Sequence, residues 1–77
     1  MIQFLISIDP TTNRRRYYRI AIEETLIGDI CVTRIYGRIG GFERRMAPIT
    51  CNTPDQALRL AQRLVAKRLR KGYEVKQ

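Results

Sequence analysis

Apolar and polar side chains alternate with a period of two along three runs in the first half of the chain. The runs cover residues 2–8, 17–23 and 30–36, and the third is rich in β-branched residues. Successive side chains of a strand point to opposite faces of a sheet, so this period is typical of half-buried β-strands. The Gly28-Asp29 pair before the third run favours a turn. The second and third runs are therefore predicted to form an antiparallel hairpin.

The alternation also predicts which side chains share a face of the sheet. In the first run, Gln3 and Ser7 have one parity and four apolar residues have the other. The apolar set is Ile2, Phe4, Ile6 and Ile8. In the second run the apolar set is Tyr18, Ile20 and Ile22. We expect both apolar sets to lie on the buried sides of their strands.

Two further strands are predicted with shorter patterns. Residues 42–51 favour a fourth strand, which Pro48 restricts to an edge or a bulge because proline cannot donate a ladder hydrogen bond. Residues 73–75 are expected to add a short last strand after the helix described next.

The segment after residue 52 has the residues that start and end an α-helix. Thr53 suits the N-cap, Pro54 the first helical position and Gln56 the third, and an acidic residue lies in the first turn. Gly72 suits the position just after the last turn. We expect one helix over residues 54–71. Its predicted apolar stripe is Ala57, Leu58, Ala61, Leu64, Val65 and Leu69.

These elements predict an α+β fold: a small twisted antiparallel β-sheet of four or five strands packed by one C-terminal α-helix. A length of 77 residues allows one small core, so residues 1–77 are expected to form a single domain. The chain has neither an 18-residue apolar stretch nor the basic start of a signal peptide, and a cytoplasmic protein without a membrane partner is expected.

Net charge favours a polyanionic partner. Lys and Arg number 15 against 7 Asp and Glu, for a formal net charge of +8, and 12 of the 15 cations are Arg. The guanidinium group matches phosphate oxygens in a bidentate geometry, which suits nucleic acid. The charge is also uneven, because residues 14–19 carry +4 and residues 20–33 carry −3. We therefore expect a molecule with one basic pole.

The predicted helix carries cations at every fourth position, where like charges repel one another. These are Arg59, Arg63, Lys67 and Lys71. Both a solvated face and a binding face are compatible with this pattern.

The stretch from Arg34 to Gly40 combines cations, a ring and glycines. Glycine lets the backbone approach an anion, and Tyr36 offers a flat surface. The alternative is a glycine-rich turn with Tyr36 at the edge of the core. The predicted nucleic-acid-binding residues are Asn13, Arg14, Arg15, Arg16, Arg34, Tyr36, Gly37, Arg38, Lys71 and Tyr73.

In this order and spacing the motifs resemble the WGR domain family, known from DNA-damage-activated poly(ADP-ribose) polymerases and from short bacterial proteins. The resemblance covers residues 1–75 and implies a twisted antiparallel sheet packed by one helix. It also implies contact with DNA ends or breaks, where the family's tryptophan lies against a terminal sugar and basic groups hold the 5′ phosphate. Tyr36 takes the tryptophan position here, and Arg38 matches the motif arginine. Arg15 departs from the asparagine that the family often has.

The function predicted from the sequence is nucleic-acid binding, to DNA rather than RNA, through backbone phosphates and strand ends or breaks. The alternative is a protein-interaction adaptor whose basic face binds an acidic protein. No enzyme is expected, because the chain has no His and no Ser or Cys with an evident base. Cys31 and Cys51 lack the companions of a zinc site, so no metal or cofactor is expected.

Overall fold

One antiparallel β-sheet and one C-terminal α-helix make up the fold, which a computed structural model describes for residues 2–76. This arrangement confirms the predicted α+β class. In chain order the elements are β1 (Ile2–Asp9), a 3-10 helix (Pro10–Thr12), β2 (Arg14–Glu24), β3 (Ile30–Arg38), β4 (Glu43–Arg45), β5 (Ile49–Cys51), α1 (Pro54–Arg70) and β6 (Glu74–Val75).

The strands follow the order β4-β3-β2-β1-β6, and β5 also pairs with β3. β4 pairs with residues 35–37 of β3, and β5 pairs with residues 30–32. The predicted fourth strand is therefore two short strands that share one edge of the sheet. The break between them contains Pro48, at the edge position that its missing N–H allows.

The β2–β3 hairpin is the longest element of the sheet. Its register has nine pairs, from Arg16 opposite Arg38 to Glu24 opposite Ile30. At ~3.3 Å per residue, the first and last pairs lie about 26 Å apart. Gly28, with a φ of 89°, closes the turn at the far end.

The helix packs on one face of the sheet and covers the core. Tyr18, Leu5, Ile20 and Val32 are the largest fully buried side chains, and Ala57, Ala61 and Val65 of α1 pack against them. Tyr18 and Ile20 are on the buried side of β2, as the alternation predicts. Ile22 packs at the margin of the same cluster.

In β1 the buried parity is the opposite of the predicted one. Leu5 is fully buried opposite Tyr18, and Ser7 is only 5% exposed, whereas Ile2 and Ile8 are exposed. Residues directly opposite in a sheet share a face, so the register with Tyr18 turns Leu5 toward the helix. Residues 4–6 are all apolar, and for this reason the pattern alone does not select the buried side.

The start and end of α1 have the predicted residues. The Thr53 hydroxyl accepts a hydrogen bond from the Gln56 N–H at 3.1 Å, and Gly72 has a φ of 93° after the last turn. The Gln56 side chain accepts a hydrogen bond from the Asn52 N–H at 3.0 Å. In a standard capping box the donor is the N–H of the N-cap residue itself, which is Thr53 here. Within residues 2–76, no helix is long and apolar enough to cross a membrane.

The apolar stripe of α1 differs from the predicted one at three positions. Leu58 and Leu69 are exposed, and Leu60 packs on the core in their place. The stripe runs along Ala57, Ala61 and Val65 because residues three or four apart lie on the same helix face, and residue 68 follows Val65 by three. Its next position toward the C-terminus falls at residue 68, which is an arginine.

Candidate nucleic-acid interface

An open cleft of about 340 Å³ lies at the basic end of the β2–β3 hairpin. The register places Arg16 opposite Arg38, and Tyr36 opposite Arg44, on the helix side of the sheet. Half-buried Tyr36 forms part of the wall. All lining residues are Arg16, Tyr36, Gly37, Arg38, Phe42, Arg44, Arg68 and Tyr73. None of them is acidic.

Arg68 of α1 completes the cleft from the helix side. Its guanidinium carbon lies 4.3 Å from the ring centroid of Tyr18, 5.6 Å from that of Tyr73 and 5.9 Å from that of Tyr36. A guanidinium in this position is attracted by the negative faces of aromatic rings. The cation therefore stands where the apolar stripe of α1 ends, over the ring of buried Tyr18 and beside the cleft.

Gly37 allows β4 to lie against β3. A Cβ at this position would collide with the Phe42 carbonyl oxygen and would lie 3.2 Å from the Tyr17 hydroxyl. In the following turn, the Gly41 N–H donates to the Arg38 carbonyl at 2.8 Å. Gly37 thus serves close packing of the backbone, and the Gly41 N–H is used within the turn.

Tyr17 supports the same turn from the other face of the sheet. Its ring stacks on Phe4 with centroids 5.9 Å apart, and its hydroxyl donates to a Glu43 carboxylate oxygen at 3.1 Å. Desolvation and the hydrogen bond to the Glu43 carboxylate together raise the pKa of the Tyr17 hydroxyl. Glu43 is thereby held on the face away from the cleft.

The cleft is lined from β2 and β3 by four of the predicted residues, Arg16, Tyr36, Gly37 and Arg38, and from the C-terminal segment by Tyr73. Arg38 also donates to the Asn13 carbonyl at 3.2 Å, which ties the end of β3 to the loop before β2.

Arg14 and Lys71 lie next to this set and contact each other. Arg14 donates to the Lys71 carbonyl at 3.2 Å, and its guanidinium carbon lies 5.7 Å from the Tyr73 ring centroid. The Nε atom of Arg14 is buried without a hydrogen-bond partner among the described residues. Arg14 therefore connects the start of β2 to the end of α1.

Asn13 and Arg15 lie at a separate pocket. Adjacent residues of a strand point to opposite faces, so Arg15 faces away from Arg16. With Ile8 and Pro10, these two residues line a second pocket of about 280 Å³. The arginine run at the start of β2 is thus divided between the two faces of the sheet.

Arg34 lies two residues before Tyr36 on the same face of β3, opposite Ile20. It is half-buried, does not line either pocket, and its Nε is buried without a hydrogen-bond partner among the described residues. Three cations of the helix stripe, Arg59, Arg63 and Lys67, do not line the cleft either. One of them, Arg59, pairs with Asp55 at 2.9 Å.

Three residues that line the cleft were missed at the sequence level: Phe42, Arg44 and Arg68. Arg68 had a usable signal, since it follows Ala61 and Val65 along one helix face. Arg44 and Phe42 depend on the register between β3 and β4, which no local pattern specifies. Within residues 2–76, no group of three His, Cys, Asp or Glu side chains could hold a metal ion.

Comparison with known proteins connects this geometry to a family. The chain matches the family model described as WGR domain over residues 1–77. It is 38% identical over 66 residues to a protein of Sinorhizobium fredii named as uncharacterized protein y4dW. The alignment covers 86% of this chain and 32% of that protein, so the chain spans about a third of the length of this relative. No solved structure gives a significant match.

Proposed function

This chain belongs to the WGR domain family, and from that premise we propose that it binds DNA at strand ends or breaks through the cleft beside Tyr36. WGR domains are generally nucleic-acid-binding modules. The observation that carries the proposal is the convergence of cations from four separate elements on one aromatic-walled cleft without an acidic lining residue. Those cations are Arg16, Arg38, Arg44 and Arg68.

In this proposal a backbone phosphate lies between Arg16 and Arg38, which face each other across adjacent strands. Guanidinium groups bind phosphate oxygens through paired, charge-assisted hydrogen bonds. Tyr36 then receives the sugar next to that phosphate, and its hydroxyl provides a further hydrogen-bond donor. A terminal sugar fits this position best, because within a continuous duplex it is flanked by nucleotides on both sides.

Neighbouring phosphates are assigned to the residues around the cleft. Asn13 and Arg15 face the other side of the sheet end, so they are suited to a second stretch of backbone. Arg14 contacts Lys71 and Tyr73 beside the cleft, and Arg34 lies two residues before Tyr36 on the same face of β3. Contacts of this kind position a nucleic acid without reading its sequence.

The test is a fluorescence anisotropy titration of one DNA sequence in closed-circular, nicked, blunt and recessed forms at about 50 mM salt. We expect nicked and end-containing forms to bind more tightly than closed circles. Tyr36→Ala should remove that preference, whereas Arg16→Ala should weaken every form and reduce the salt slope by about one. Arg63→Ala, on the exposed helix face, is the control. Absence of binding to all four forms would contradict the proposal.

An acidic protein is the alternative ligand that the same charges permit. Polyglutamate, which has charge but no sugar or phosphate, tests it as a competitor in the same titration. Weak competition by polyglutamate supports a site for the sugar-phosphate backbone. Competition equal to that of DNA at matched charge concentration would favour the adaptor function, and an RNA duplex of the same sequence measures the preference between nucleic acids.

A further inference from the structure

Phe42 is an exposed aromatic side chain at the edge of the basic cleft. It is 95% exposed and lies in the turn between β3 and β4, where it lines the cleft together with Tyr36. Leu26 and Ile27 are similarly exposed, but they line neither pocket. Ligand pockets are typically lined by aromatic side chains together with a few polar or charged groups.

The backbone that carries this ring is held in place. The Phe42 carbonyl lies against Gly37, where a Cβ would exclude it, and the next residue, Glu43, accepts from the Tyr17 hydroxyl at 3.1 Å. Gly40 has a φ of 80°, and the Gly41 N–H donates to the Arg38 carbonyl at 2.8 Å. The ring is thus presented from a fixed turn and requires little reorganisation to receive a flat ligand.

The chemistry next to the ring limits the kind of flat ligand. Four guanidinium groups line the same cleft, so the ligand combines a planar apolar face with an anion. A nucleotide has both. At about 340 Å³ the cleft lies near the lower limit of ~300 Å³ for ligand pockets, a volume that suits one nucleotide.

We propose that Phe42 is a stacking platform for an unpaired nucleobase, and that the cleft therefore takes a single-stranded overhang, gap or flap next to the bound phosphate. This inference rests on the proposed DNA binding. Bases inside a duplex are covered on both faces by their neighbours, whereas an unpaired base can lie on an aromatic side chain. Tyr36 and Phe42 then have different roles: Tyr36 contacts the sugar and Phe42 contacts the base.

The experiment compares one duplex with a blunt end, with a two-nucleotide overhang and with the same overhang lacking its bases. Stacking on an aromatic side chain increases affinity by about 5- to 150-fold per base. We expect the native chain to bind the intact overhang more tightly than the other two DNAs by a factor in this range. Phe42→Leu should abolish the difference between the intact and the baseless overhang, and Phe42→Trp should retain it. Leu26→Ala, another exposed apolar position, is the matched control.

A spectroscopic measurement detects the stacking itself. With 2-aminopurine as the unpaired base, binding of the native chain should quench its fluorescence, and Phe42→Leu should bind without quenching. Equal affinity for the intact and baseless overhangs, with blunt-end binding present, would overturn the stacking platform alone. Loss of binding to all three DNAs would overturn the proposed function together with it.

Discussion

The β2–β3 hairpin is one continuous antiparallel ladder that is basic at one end and acidic at the other. At one end Arg16 pairs with Arg38, next to the cleft that contains Tyr36. At the other, Glu24 pairs with Ile30 before a turn that exposes Leu26 and carries acidic residues on both sides. Since both ends have the same antiparallel backbone, the difference between them arises from the side chains and from the elements packed nearby.

The comparison indicates how a small sheet obtains an oriented binding surface. At the basic end, β4 and the C-terminal part of α1 add Arg44 and Arg68 to the strand residues. At the acidic end β5 pairs with residues 30–32 of β3, and the turn itself, residues 25–29, lies beyond the paired strands. A molecule with separated charge presents its basic end to a polyanion and holds the acidic end away from it.

Charge reversal at the basic end should have the largest effect. In the double variant Arg16→Glu with Arg38→Glu, two carboxylates replace the two arginines that we propose hold a phosphate. We expect affinity for nicked DNA to fall by at least ~100-fold at low salt, because attraction is replaced by repulsion. Anisotropy titration measures it, and circular dichroism verifies the fold.

A four-site variant separates the effect of where the charges lie from the effect of the total net charge. Adding Glu23→Arg and Glu24→Arg to that double variant returns the formal net charge to +8. If the cleft is the site, the four-site variant stays as weak as the double variant. Recovery of native affinity would mean that total charge controls binding, and the contrast between the two ends would have no functional meaning.

The glycines of the two ends should differ in what they contribute to stability. Gly37→Ala places a Cβ against the Phe42 carbonyl, so β4 must shift, and we expect a loss of about 2–3 kcal/mol in the free energy of unfolding. Gly28→Ala meets no atom within 4 Å and incurs only the cost of a positive φ, about 1 kcal/mol. Urea denaturation measures both. A larger loss for Gly28→Ala would refute the close-packing role of Gly37.

The basic end also illustrates which parts of the molecule the sequence could predict. Period-two alternation identified β2 and β3, and the helix start at Thr53 was recognised because caps are local signals. The buried side of β1 was predicted wrongly, since Leu5 lies between two other apolar residues and only its pairing with Tyr18 decides the face. Arg44 joins the cleft through the β3–β4 register, which is a long-range property.

A substitution at Arg68 should lower the free energy of unfolding by less than Gly37→Ala does. Arg68→Ala removes the cation above the Tyr18 ring together with the packed stem, and we expect a loss of about 1–2 kcal/mol in the free energy of unfolding. Arg63→Ala, on the exposed face of the same helix, should change stability by less than ~0.5 kcal/mol. Arg68→Lys distinguishes planar stacking from charge, because lysine keeps the charge and loses the stack. Equal losses for Arg68→Ala and Arg63→Ala would argue against the ring contacts.

The smallest effect is expected at the acidic turn. Leu26 and Ile27 are 107% and 86% exposed, so Leu26→Ser with Ile27→Ser removes no buried apolar surface. The free energy of unfolding should change by less than ~0.5 kcal/mol in urea denaturation, and DNA affinity should be unchanged. Phe42→Ser, at a side chain of similar exposure on the basic end, should also leave stability unchanged but should weaken binding to an overhang. If the turn variant weakens binding as much as Phe42→Ser does, apolar exposure contributes without regard to position, and the two ends of the hairpin are not functionally distinct.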